Sequence, residues 1–480
     1  MRCRFPGCRG IPIHAAWLCA AFLVAAGAVS CLRQETPAYR DPGLPVGERV
    51  SDLLSRMTLE EKTAQLVGMM PMVAPGADPQ ASLVDREGHF LPEQAAALLG
   101  NGLGEIAHAS GARDPGEMAA FTNAIQAWVR DNTRLGIPVL FHEECLHGHV
   151  ARRGTSFPQA LALASTWDPE LVETVFSAVA LEVRSRGAQQ CLAPVLDLAR
   201  DPRWGRTEET YGEDPFLVSR MGVAAVRGFQ GPGPGIDGAH VIATAKHFAV
   251  HGQPERGTNT APGNYSERIV REQFLRPFEA AVREGRIQSV MASYNEIDGI
   301  PSHANARYLD GILRQEWGFE GLVVSDYNGV RRLRTEHHVA ASGQDSARMA
   351  LEAGVDIELP DGEDYAALAG CDVNLYDDAP EQMAADYSLT YGFVRGSLVN
   401  YTRQAAGYLG EHQVRCNCIA FAPAQGSVSQ GFADAFTRHA HLKRLTTAAD
   451  IRGAVVFLAS DASAYVTGVT LPVDGGYTAK

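Results

Sequence analysis

The chain has 480 residues, 45% of them hydrophobic and 20% charged, an ordinary balance for soluble globular protein. That length holds one large domain with a small one, or two to three ordinary domains. A formal net charge of −14 argues against nucleic acid as a natural partner, since phosphate binding needs a basic face.

In chain order, Arg2, Arg4 and Arg9 precede an apolar run from Ala15 to Val29. The run is too short and too rich in Ala and Gly for a membrane span, and residues 1–30 read as a signal peptide. Ala28-Val29-Ser30-Cys31 resembles a bacterial lipobox, which implies membrane attachment through a lipidated Cys31; an ordinary cleavage site beside a bystander cysteine reads the same residues. The expected location is therefore periplasmic, lipid-anchored or secreted. Residues 31–45 read as a linker.

From residue 46 to about 370 short apolar strands alternate with amphipathic helices. Thr58-Leu-Glu-Glu61 is a capping box that opens a helical entry segment running to Met69. Strands are expected at Gly104–Ala107, Ile137–Phe141, Ala160–Ala164, Leu192–Leu196, Val241–Ala245, Ser289–Ser293, Leu322–Ser325 and Val355–Leu359. The clearest helical periodicity lies in Pro169–Arg184, Pro215–Phe229, Ser266–Glu284 and Ala304–Trp317. Eight such units predict an α/β fold of the (β/α)8 TIM-barrel type, although a doubly wound open sheet shows the same alternation.

Polar clusters fall at the C-terminal ends of these strands, where barrels carry their chemistry. Glu143 and Glu144 follow one strand, Asp197 to Arg206 another, and Lys246-His247, Tyr294-Asn295 and Asp326 close three more. A carboxylate such as Asp326, ending a fully apolar strand, suits covalent attack on an anomeric carbon; capping the next helix is its bland alternative. Lys246 and His247 can donate to sugar hydroxyls and help hold Asp326 ionised. Arg206 can fork onto vicinal hydroxyls or sit in a structural ion pair, and Glu144 can accept from two hydroxyls or be a rim charge. His247 can equally be a satisfied core histidine, Trp204 reads as packing before sugar platform, and Tyr294 either bonds Asp326 or plugs the barrel top.

Nine cysteines occur, at 3, 8, 19, 31, 145, 191, 371, 416 and 418. Cys416-Asn-Cys418 is too tight for a zinc knuckle and no histidine cluster supports it, so no metal site is expected and the cysteines read mostly as buried thiols.

Glu143-Glu-Cys-Leu-His-Gly148, Asp201-Pro-Arg-Trp-Gly-Arg206 with Gly212-Glu-Asp-Pro215, Lys246-His-Phe248, Met291-Ala-Ser-Tyr-Asn295 and Val324-Ser-Asp-Tyr327 stand in the order seen in glycoside hydrolase family 3. The chain resembles that family from about Val46 to about Glu363. The resemblance implies an exo-acting, retaining β-glycosidase of terminal β-D-glucosyl or β-D-xylosyl residues, acting on oligosaccharides or aryl glycosides with no obligatory cofactor. It makes Asp326 the nucleophile and places Glu144, Arg206, Lys246, His247, Met291 and Tyr294 around the terminal-sugar subsite. Glu144 stands where many glucosidases of the family have Asp, and its extra methylene favours xylose.

Two departures qualify this. The second αβα domain that supplies the family's acid/base has no counterpart, and neither does the Asp-His pair of another branch; Glu255 and Glu267 are substitutes without a motif. From 371 to 480 the chain resembles the C-terminal half of a short-chain dehydrogenase/reductase, through Tyr391 to Arg403, Val414 to Ile419, Phe457 to Gly468 and Pro472-Val-Asp-Gly-Gly476. Tyr391 matches that family's tyrosine, but Arg395 replaces its lysine, and no glycine-rich strand-to-helix turn precedes it to seat NAD(P). A partial Rossmann-like segment is therefore expected, without dehydrogenase activity. A non-catalytic sugar-binding barrel is the other alternative.

Overall fold

The computed structural model describes residues 37–71, 82–233, 235–370, 414–422 and 430–476, with residues 402, 406, 410 and 412. The expected leader with Cys31, and also Cys371, Tyr391 and Arg395, lie outside them.

Of the described residues, those up to Lys62 form one unit and those from Thr63 onward another. In the first, Asp52 of the helix Val46–Arg56 accepts from the Tyr39 amide at 3.0 Å and pairs with Arg56 at 2.7 Å. The Thr58–Glu61 capping box forms as the sequence predicts: Thr58 N–H donates to Glu61 at 2.9 Å and Glu61 N–H to Thr58 Oγ1 at 3.2 Å.

The second unit is an α/β fold around a seven-stranded parallel sheet. Its strands are β1 (Gly68–Met69), β2 (Glu105–Ala107), β3 (Leu140–Glu143), β4 (Gln190–Cys191), β5 (Ile242–Phe248), β6 (Ser289–Ala292) and, after a small hairpin of β7 (Glu296–Ile297) and β8 (Ile300–Pro301), β9 (Leu322–Val324). The sheet curls until its edges meet. Ile357 bridges Val324 and Glu358 bridges Val67, both in parallel. The amide of Ser325 donates to Ile357 O at 2.9 Å and that of Gly68 to Glu358 O at 2.8 Å. Hydrogen bonding thus runs around a ring.

Alternation along each strand sorts the side chains. Ile106, Phe141, Ala243, Val290 and Val323 join the large core beneath the helices, while Leu192, Met291, Val324, Ile357 and Leu359 form a small cluster of their own. A buried polar set is paired in part: Gln190 Nε2 donates to Thr244 at 2.9 Å and Ser289 at 3.2 Å, and His142 Nδ1 meets Glu105 at 2.9 Å, while Gln190 Oε1 and Glu105 Oε2 have no partner among the described residues.

Four expectations need correction. The strand expected at Leu192–Leu196 lies at Gln190–Cys191, with only an isolated bridge at Val195, and Val355–Leu359 supplies only the isolated bridges of Ile357 and Glu358. Ala160–Ala164 is a helix, not a strand; its Ala-Leu-Ala-Leu-Ala run has no β-branched residue, and both residue types are strong helix formers. The entry segment expected to stay helical to Met69 ends at Ala64, and Gly68–Met69 is a strand. Gly68 permits this, because a Cβ there would sit 2.7 Å from Leu359 and 2.8 Å from the Glu358 carbonyl. The helices Pro169–Ser185 and Pro215–Gln230 lie where periodicity places them, each N-capped by an Asp side chain. Ser266–Glu284 and Ala304–Trp317 contain π-helical turns at Val270–Phe274 and Arg307–Glu316.

In the tail, β10 (Cys418–Phe421) pairs in parallel with β11 (Thr470–Val473), and the helix Ala448–Ala459 starts from a Thr447/Asp450 capping box. Cys145 and Cys191 are buried free thiols, and Cys416 and Cys418 are free and half-buried.

Candidate active site

The ends of β3, β5, β6 and β9 and the loop after β4 bring the predicted polar residues to one rim. Asp326 lies two residues past the end of β9 and is buried, 8% exposed. Its Oδ1 accepts the Tyr327 amide at 2.8 Å, and its own amide donates to His303 Nε2 at 3.1 Å. Oδ2 has no hydrogen-bond partner among the described residues and lies 3.8 Å from His247 Nε2. The helix-cap alternative fails: the following helix Gly329–Thr335 begins after Asn328, with no side-chain cap. Gly329 is needed for another reason, since a Cβ there would meet the His303 ring at 2.1 Å.

Burial pushes the Asp326 carboxyl above its ordinary pKa, while Lys246, the Tyr327 amide, Tyr294 and Arg206 pull it back. The outcome is an acceptor oxygen that is poorly solvated and surrounded by cations and donors.

The partners of those donors change the sequence reading. Arg206 gives Nε and Nη2 to Glu209 in a two-point pair, both at 2.8 Å, so the structural ion pair is real. It also reaches His247 Nε2 at 3.1 Å and His251 Nε2 at 3.3 Å. Of five guanidinium N–H groups, four are used, and one on Nη1 is left for a ligand; Arg206 cannot fork onto two hydroxyls in this arrangement. His247 is similarly committed. Its Nδ1 lies 2.7 Å from Asp197 Oδ2, and its Nε2 faces Arg206, which can only donate. The ring therefore carries its proton on Nδ1 and has none to offer a hydroxyl. It holds Arg206 and Asp197 in place.

Lys246 donates to Glu144 at 2.9 Å and keeps two further N–H groups. Glu144 is the more open of the two, its side chain 27% exposed against 4%. Tyr294 donates its one proton to the Tyr327 carbonyl at 2.9 Å, while its hydroxyl remains close enough to Asp326 for burial and then that carboxylate to raise its pKa. Met291 lies lower, in the apolar cluster with Leu192 and Val324, as part of the floor. Trp204 is buried packing: it donates to Asn259 at 2.9 Å and meets His251 edge-on.

Every described carboxylate at this rim other than Asp326 is partnered: Glu144 by Lys246, Glu209 by Arg206 and Asp197 by His247. Burial raises the pKa of Asp197 to about 7, but its side chain is 1% exposed and bonded to His247. Glu143 is internal, accepting from the Ser110 amide and hydroxyl at 2.8 and 2.6 Å. Glu255 is exposed and accepts from Asn264, and Glu267 pairs with Arg271 and Arg307.

His251 and His303 were not legible as site residues. Burial holds each ring neutral, with a pKa pushed down to about 3. An unfolded histidine titrates near 6.5, so between these values the unfolded chain binds the extra protons. Stability is then intact above pH 6.5 and lost as the pH falls toward 3. Denaturant midpoints at pH 7, 5.5 and 4.5 should decline, and His303→Gln should flatten the decline by about one proton's worth; an unchanged slope in the variant would refute this assignment.

A curled parallel sheet gathers a carboxylate, cations and neutral donors at its C-terminal rim, the arrangement of a polar binding site. Residues 58–383 match the glycosyl hydrolase family 3 N-terminal domain. The chain belongs to this family. A putative β-xylosidase of Formosa agariphila is 39% identical over 352 residues, covering 72% of this chain and 46% of that one. A periplasmic β-glucosidase of Salmonella typhimurium is 32% identical over 348 residues, covering 72% and 42%. The solved β-glucosidase of Erythrobacter marinus superposes with a TM-score of 0.64 at 40% identity, covering 70% and 43%. The chain thus spans about half the length of the curated relatives it matches. Residues 364–478 match a second family, enoyl-(acyl carrier protein) reductase.

Proposed function

We propose that this chain is the nucleophile- and sugar-binding part of an exo-acting retaining β-glycosidase for terminal β-D-glucosyl or β-D-xylosyl residues. The ring of strands is then the (β/α)8 barrel that the sequence predicts. The observation that carries the reading is the unpartnered Oδ2 of Asp326 beneath a rim of partly unused donors. In the first step Oδ2 bonds to the anomeric carbon as the bond to the leaving-group oxygen breaks, and that oxygen takes the electron pair. Water then attacks the anomeric carbon, its bond to Oδ2 breaks to regenerate the carboxylate, and the proton water gives up to solvent balances the one the leaving-group oxygen takes from it, giving net retention. Lys246 stabilises the ionised Asp326 and fixes Glu144, Arg206 keeps one N–H for a hydroxyl, and Met291 closes the floor. NMR of the first-formed anomer tests this: β product supports it, and α product from a β-glycoside overturns it.

Glu144 sets the sugar preference through its reach. Glu144→Asp withdraws the carboxylate by one methylene and makes room for the hydroxymethyl group of glucose. The glucoside-to-xyloside ratio of kcat/KM should rise about tenfold, the usual scale for one methylene; an unchanged ratio would remove Glu144 from that role.

The tail we read as part of a short-chain-reductase-like layer. Its helix Ala448–Ala459 has no buried residue and leaves Val455, Val456 and Phe457 exposed, as a fragment of a larger domain would. Residues 1–30 we assign to export, with Cys31 as the lipidation candidate. Globomycin-sensitive labelling with palmitate in a bacterial host tests that assignment; secretion without label would replace it with ordinary cleavage.

A further inference from the structure

Tyr327, beside the proposed nucleophile, turns its hydroxyl away from Asp326 and into a four-residue chain. Its oxygen lies 2.9 Å from His142 Nε2 and 2.9 Å from His108 Nε2, while His142 Nδ1 lies 2.9 Å from Glu105. A neutral His142 that donates from Nδ1 to the Glu105 carboxylate sets one order of protons along this chain. His142 Nε2 is therefore a bare acceptor and takes the Tyr327 proton. The Tyr327 oxygen must then accept from His108, which places the His108 proton on Nε2 and leaves Nδ1 as a bare lone pair.

That Nδ1 has no hydrogen-bond partner among the described residues and is not among the buried unsatisfied atoms, and its residue is half-buried where Glu105 and His142 are fully buried. His108 directly follows β2, at the same end of the ring as the other rim residues, and its φ of 48° is in the left-handed region. Non-glycine residues held there gather at functional sites. Its ring lies within reach of the charges of Glu144 and Lys246, and burial keeps it neutral, which preserves the lone pair.

We propose that His108 is a further specificity-determining residue of this site, its Nδ1 accepting a hydrogen bond from one hydroxyl of the terminal sugar; the inference rests on the glycosidase reading above. Tyr327 and His142 are positioning residues that fix the tautomer.

The test crosses wild type and His108→Phe with dinitrophenyl β-glucoside and its singly deoxygenated analogues. His108→Phe should lose about tenfold in kcat/KM on the parent glycoside, the scale of one hydrogen bond. At one position the deoxy penalty should disappear in the variant while the other penalties persist. The deoxyfluoro analogue at that position should behave like the deoxy sugar, because fluorine cannot donate. Equal deoxy penalties in both enzymes overturn the proposal, and a fluoro analogue as good as the hydroxyl overturns the proton order. Should His108→Phe fail to fold, Tyr327→Phe serves instead: a loss confined to the same hydroxyl supports the proposal, and a loss uniform across analogues overturns it. Wild-type protein that neither turns over these glycosides nor is protected from melting by glucose or xylose overturns the glycosidase reading itself. Wild-type turnover with unaltered penalties removes His108 alone.

Discussion

Asp326→Ala is expected to lower turnover of dinitrophenyl β-glucoside or β-xyloside by about 10⁴-fold or more, the scale on which losing a covalent nucleophile acts. Its side chain is held by the Tyr327 amide on one oxygen, and the amide of its own residue is anchored on His303. Only the second oxygen is free to form a bond. Removing it opens a small space beside Lys246 and Arg206, which stay paired with Glu144 and Glu209, so the fold should survive and an external anion should be able to enter. Azide is then expected to restore part of the rate and to give the α-glycosyl azide, since it attacks once and inverts. A variant that keeps wild-type turnover would show that Asp326 is not the nucleophile. Azide rescue with retained β configuration would point to a different carboxylate.

Why Asp326 was readable and its supports were not is a matter of sequence distance. The signal from Leu322 to Asp326 is local: an apolar run ending in a carboxylate is visible in five residues, as are Lys246-His247 at the end of β5. The partner of Tyr327 lies 185 residues away at His142 and another 219 away at His108, and no local pattern announces either. His303 is hidden for the same reason, in a 3-10 turn after the β7–β8 hairpin. For Arg206, Glu209 three residues on takes two of its five N–H groups. Residue type alone could offer that pair only as one of two alternatives. The eight expected strands exceed the seven of the sheet, and their number conceals opposite errors. The alanine-leucine run at 160–164 satisfies an apolar-strand template as well as a helical one. Gly68–Met69 carries too little apolar length to be seen, and it becomes a strand because Glu358 offers it a partner.

The second large effect concerns the leaving group. Disaccharides should react about 10² to 10⁴-fold more slowly than dinitrophenyl glycosides relative to a glycosidase with its acid in place, the usual contribution of general acid–base help. Departure of a sugar alkoxide requires a proton, whereas dinitrophenolate leaves without one. Retaining enzymes keep the second carboxyl about 5 to 5.5 Å from the first. At this rim Glu144, Glu209 and Asp197 are each bound to a cation or to His247, and an ionised, salt-bridged carboxylate is a poor proton donor. Asp197 alone is raised toward neutrality, but its side chain is 1% exposed and bonded to His247 Nδ1. The measurement is a plot of log kcat/KM against leaving-group pKa, which should fall steeply across aryl glycosides and continue down to the disaccharides. A shallow slope with efficient disaccharide turnover would mean that an acid reaches the site from residues outside this rim. Adding Asp326→Ala to that experiment separates the cases: loss of both activities keeps one nucleophile for all substrates, while disaccharide turnover that survives would belong to a different site.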